Sequence, residues 1–162
     1  MGTACWIFAL ALACVAQGAA VPVPFQAEEN GLNAARQRLL SETGDLTQMA
    51  AQLHGIQQTL AYDITGSAEM ATVQVDSATI LIGIFGRMET DKDRAVVAFA
   101  LSRQLTVYDA VLGQDIEDVN GYSAVSSSPA VVQEAANIRD EMKRARAIIE
   151  QLLPAFASRA KG

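Results

Sequence analysis

Between Val131 and Phe156 the apolar residues fall at Val131, Ala135, Ile138, Met142, Ala145, Ile149, Leu152 and Phe156, in steps that alternate four and three without a slip. That repeat of 3.5 residues does not fit a strand, whose side chains alternate every two. It is the spacing of a helix packed lengthwise against other helices. Ser128 suits the N-cap and Pro129 the first helical position, where a missing N–H does no harm. Pro154 predicts a kink or stop just before Phe156.

A second seam reads Leu32, Ala35, Leu39, Glu42, Leu46, Met49, Leu53, Ile56 and Leu60, and Glu42 is its one polar member. It predicts one long helix over 30–64, with a local break near Gly44, since glycine costs about 1 kcal/mol in a helix interior. A third helix begins at the capping box Thr90-x-x-Asp93. Its stripe is Ala98, Leu101, Leu105, Tyr108, Leu112, Ile116 and Val119. Gly121 is a natural stop and Ser123–Ser128 a polar connection.

Residues 67–89 are ambiguous. Ser67 can cap a helix whose stripe is Met70, Val73, Ser77, Leu81, Ile84 and Met88. The β-rich runs 73–75 and 79–85 also allow a hairpin turning at Asp76-Ser77. Helix is preferred, because flanking amphipathic helices need a helical partner to cover them.

Connections near Thr65 and Glu89 then give an all-α, up-and-down bundle of about four helices with heptad-type seams. An extended helical hairpin that dimerises is the alternative. Aromatics at only 6% and abundant alanine fit close-packed helices better than a sandwich or barrel.

Ahead of the bundle, Ala4–Ala16 is apolar and ends in small residues, with Gly18 and Ala20 at the −3 and −1 positions of a signal-peptidase site. The domain reading is a signal peptide over 1–20, an extended leader over 21–29 set by Pro22 and Pro24, the bundle over 30–157 and a tail over 158–162. Export to the periplasm or the extracellular space follows, with no membrane span in the mature chain, since the apolar run is shorter than the ~20 residues a bilayer needs. Cys5 and Cys14 both fall in the removable segment. Lipidation at Cys14 is a competing reading, weakened because Ala11 and Leu12 stand in the wrong order before it. The net charge of −6 argues against nucleic acid and anionic membrane as partners.

No constellation of catalytic residues emerges. His54, the only histidine, lies on the flank of a seam, and no Gly-x-Ser-x-Gly elbow accompanies it. One histidine and no mature cysteine leave no structural zinc site, and haem held by His54 and Met142 is a remote geometry. Asp115, Glu117, Asp118 and Asn120 do not fit the calcium-loop template. Arg139, Lys143 and Arg146 form a basic stripe expected to meet acids on a neighbouring helix.

The functional expectation is a non-catalytic bundle without cofactor or metal, acting through a protein partner or self-association. A carrier of a small apolar ligand, held near Ile80, Ile84, Phe85, Tyr108 and Met142, is the alternative. Off the seams, Gln57 and Arg144 are expected to tolerate truncation.

Overall fold

The computed structural model describes residues 23–159. The expected signal peptide, its expected cleavage site and Cys14 lie outside the described residues. Four helices account for nearly all the rest: α1 (Gln26–Ala50), α2 (Ile56–Gly86), α3 (Asp91–Val125) and α4 (Pro129–Arg159), with no strand among the described residues. Connections of a few residues force each helix to run antiparallel to the last. α1 and α3 each pack against both α2 and α4, which meet across the diagonal of the bundle.

The α4 seam is buried in full, and so is the α3 stripe from Ala98 to Val119. Their starts are capped as the sequence implies. The Thr90 hydroxyl accepts from the Asp93 N–H at 3.1 Å, and that of Ser128 accepts from the Val131 N–H at 3.4 Å. Their ends run further. α3 passes Gly121, which is exposed and therefore crowds nothing, and continues to Val125. α4 carries Pro154 on its exposed side and continues to Arg159.

The first long helix is corrected. Gly44 sits inside α1 with open space around it, and the chain turns instead at Ala51–Gly55. Gly55 adopts φ 60°, ψ −139°, a region closed to residues with a Cβ, so the turn is built on this glycine rather than on Gly44. The seam that seemed to cross the turn does so by coincidence of spacing: Ile56 is exposed and Thr65 lies mid-helix. α1 buries Thr43 where the pattern pointed to Glu42, and the Thr43 hydroxyl is satisfied by the Leu39 carbonyl at 2.6 Å. At the other end, α1 begins at Gln26, inside the expected leader, because Pro24 constrains only the residues before it.

Of residues 67–89 all but the last three are helical, with no hairpin at Asp76, and Ser67 is interior to α2. The buried side, however, is not the expected stripe. Ala61, Ile64, Ala68, Ala71, Val75, Ala78, Ile82 and Phe85 face the core in alternating steps of three and four. Small side chains let α2 approach its neighbours closely. Thr65, Thr72 and Thr79, seven residues apart and also buried, turn their hydroxyls back onto the carbonyls of Ala61, Ala68 and Val75 at 2.7–2.9 Å. Their burial therefore leaves no donor unsatisfied.

One end of the bundle is closed by aromatic rings. Phe25 and Phe156 lie 5.0 Å apart, and Phe85 meets Phe156 edge-on at 4.9 Å. Phe25 takes φ 64°, a strained value for a bulky residue, held by this ring contact. Gly86 is required beside it, because a Cβ there would stand 2.9 Å from the Pro24 carbonyl oxygen.

Candidate functional site

Charge is distributed unevenly around the bundle. Arg38 pairs with the buried Glu141 at 2.7 Å, with Arg144 on its other oxygen. Arg36 reaches Asp76 at 2.7 Å and Arg146 reaches Asp109 at 2.8 Å. These pairs stitch α1 to α4, α1 to α2 and α4 to α3. Among the described residues no ion pair joins α2 to α3.

The outward sides of α2 and α3 are apolar instead. Met70, Val73, Ile80 and Ile84 are 48–57% exposed, and Val96, Phe99 and Val107 line the outside of α3. α1 and α4 each expose one large apolar residue, Leu40 and Val132. Between Met70 and Gly86 the only charged residue is Asp76, which is turned toward Arg36 of α1. Between Ala95 and Tyr108 it is Arg103, whose guanidinium lies 5.9 Å from the Phe99 ring. A shallow open groove lined by Leu81, Val97, Ala100, Leu101, Gln104 and Tyr108 runs between the two helices. By length and composition α2 and α3 could each cross a membrane, although half of the apolar stretch of α2 is buried in the bundle.

A second feature lies between α1 and α4. Ligand oxygens of Glu42, Asp45 and Glu134 fall within 4.8 Å of one another. The Asn137 amide donates to both Glu42 and Glu134 at 3.4 Å. Burial, then the hydrogen bond and charge of Glu42, then the charge of Asp45 push the Glu134 carboxyl up to about 7. These oxygens suit a hard cation, but three carboxylates and one amide fall short of the six to eight ligands calcium takes. Sequence reading missed this cluster because its members come from two helices, with no shared motif.

Asp115, one of the acids that did not fit the calcium-loop template, faces the core with one oxygen lacking any hydrogen-bond partner. Burial, then the neighbouring Asp118 charge, raises its carboxyl to about 6. Glu117 is exposed and Asp118 accepts from Gln114, so the three acids do not converge.

The expected ligand set is not assembled. Ile80 and Ile84 face outward, while Phe85, Tyr108 and Met142 are buried. Phe85 touches Phe156, and Met142 stands fourteen residues earlier on α4, roughly 21 Å along the axis. His54 is exposed in the α1–α2 turn. Gln57 binds the α3–α4 connection to that same end of the bundle, which puts Met142, thirteen residues past Pro129, roughly 20 Å away. His54 and Met142 therefore form no haem-binding pair.

Gln57 is the residue most misjudged from sequence. Its amide oxygen accepts from the Ser126 hydroxyl at 2.7 Å and from the Ser127 and Ser128 N–H groups at 3.2 Å. Of the basic stripe, Arg146 meets Asp109 on α3 as expected, and Arg139 donates to Asn120 at 3.2 Å.

No protein-family model matches the chain, and comparisons with curated proteins and with solved structures return no match.

Proposed function

We propose that this chain is an exported, non-catalytic helical bundle that works by binding, with the outer α2–α3 face as its contact surface. The observation that carries the reading is the concentration of exposed large apolar side chains on two of the four helices. Single exposed apolar residues are ordinary, but a contiguous apolar face rimmed by polar residues marks an interaction surface. Ion pairs on the other sides of the bundle make the contrast sharper. A second reading, a carrier of a small apolar ligand, is favoured by the groove at Leu81, Ala100 and Tyr108, which would hold its ligand at the surface rather than among the core residues.

The binding reading is tested by thiol labelling in the producing culture. In a chain with Cys5 and Cys14 replaced by serine, Ile80→Cys is expected to react with a maleimide at least about tenfold more slowly than Ser41→Cys. After purification and dilution the two rates converge. Equal rates in culture overturn the reading.

A further inference from the structure

The outer side of α2 is uncharged and short. Met70, Val73, Ser77, Ile80 and Ile84 follow one another along about 21 Å of it. With α3 beside it the face is about 20 Å across, or roughly 400 Å². Stable complexes of separate chains bury about 600–1,000 Å² from each partner. A free partner therefore gains only a transient contact here, whereas a segment tethered beside the face gives up far less freedom to occupy it.

The chain supplies such a segment. Twenty-two residues precede Val23, none of them charged, and Ala4–Ala16 is apolar. Val23 and Pro24 lie against Gly86, two residues past Ile84: a Cβ on Gly86 would stand 2.9 Å from the Val23 Cγ1 and from the Pro24 carbonyl oxygen. From that point the way to the outer face is open. A trough of about 600 Å³ separates Pro24 from the start of α3, with Ala95 and Val96 in its wall, and Val96 is 71% exposed. The small residues Gly18, Ala19 and Ala20 suit that passage.

We propose that in the uncleaved chain Ala4–Ala16 folds back along the outer side of α2, and that removal of residues 1–20 uncovers this face; the proposal rests on the binding reading above and sets when that surface is available. Pro22 and Pro24 keep the segment from extending α1 past the end of the bundle. Length agrees: wound as a helix, Ala4–Ala16 is about 18 Å long, close to the span from Met70 to Ile84. Counting from the contact at Gly86, Cys14 lies nine residues before Val23 and Ser77 nine before Gly86, so the two fall at one level. Neither surface carries a charge, so their contact buries none. A short tether supplies an effective concentration on the order of 1 mM. A segment affinity on the order of 0.1 mM then covers the face about nine-tenths of the time.

Disulfide trapping in the full-length chain tests the proposal. The chain is made without export, so that residues 1–20 stay attached, and Cys5 is replaced by serine. Under mild oxidation Cys14 is expected to close an intramolecular disulfide with Ser77→Cys about tenfold faster than with Ala147→Cys. Ala147 is exposed on α4 nine residues before Phe156, equally within reach of the tether. With both native cysteines replaced by serine, Ile80→Cys in the purified chain reacts with a maleimide about tenfold more slowly than Ser41→Cys at every dilution. Cutting at a protease site placed after Ala20 brings the two rates together, and so does Leu12→Glu with helicity unchanged. Equal trapping at Ser77→Cys and Ala147→Cys, or an Ile80→Cys rate that cutting does not change, overturns the proposal. Protection of Ile80→Cys in culture after export and cleavage then leaves the binding reading standing, and protection in neither setting overturns both. Protection of the uncut chain that is lost on dilution assigns the cover to another molecule, and the proposal falls.

Discussion

Replacing Ile82 and Ile80 by alanine, one at a time, asks which side of α2 is the core. The two residues are two positions apart on one helix, so propensity, side-chain chemistry and distance from the helix ends are nearly matched. Ile82 is fully buried and Ile80 is 53% exposed. Truncating Ile82 removes three carbons from a dry environment, a loss of about 2.4 kcal/mol at ~0.8 kcal/mol each. A hole of about 80 Å³ adds up to ~2 kcal/mol if the neighbours do not relax. Alanine's better helix propensity returns less than about 0.5 kcal/mol. The expected cost is therefore about 2–4 kcal/mol.

Ile80 loses only the buried part of the same transfer term and leaves a notch open to water, so the isolated chain loses about 0.5–1 kcal/mol. For a domain of this size the pair should differ by roughly 5–10 °C in melting temperature. Far-UV circular dichroism at dilute protein gives the comparison. Equal losses, or a larger loss at Ile80, would refute the assignment of the Ala68–Val75–Ile82 side as the core and with it both readings of the outer face.

Two further outcomes follow from the polar groups. The folded-state pKa values of Glu134 and Asp115 lie above those of ordinary carboxyls. Their stabilising contribution is thus fully present below about pH 4 and lost as pH rises through 6 and then 7; the melting temperature should fall between pH 5 and pH 8, and Glu134→Gln should flatten that fall, whereas an unchanged slope in the variant would remove Glu134 as its source. Gln57→Ala should cost about 1–2 kcal/mol, because two backbone N–H groups and a hydroxyl lose their shared acceptor. Amide exchange at Ser127 and Ser128 should speed up first, and unaltered exchange there would show that water replaces the side chain without penalty.

What the sequence disclosed depended on how many neighbours each helix has to satisfy. α4 carries many charges and one clean seam, so spacing alone picked out every buried apolar position from Val131 to Phe156. α3 did the same along its stripe, though not at its end, since an exposed Gly121 is tolerated where no turn is required. α2 has few charged residues and two seams. Periodicity could establish that it was a helix but not which seam faced inward, and the larger side chains at Met70, Val73 and Ile84 drew the wrong choice. The bundle takes the Ala, Thr and Gly side because α2 must approach its neighbours closely, and threonine hydroxyls can be satisfied within their own helix. The turn at Gly55 was hidden for a related reason: a seven-residue spacing that spans five loop residues reads as continuous helix, and only the backbone angle at Gly55 separates the two. The contacts of Gln57 and of the Glu42–Asp45–Glu134 cluster join residues 69 to 92 positions apart. No local pattern encodes them, so they emerge only when the helices are set side by side. The ambiguity of α2 follows from the same property that suggests its role: a helix apolar on both sides can conceal its core side from the sequence while keeping a second side free for a partner.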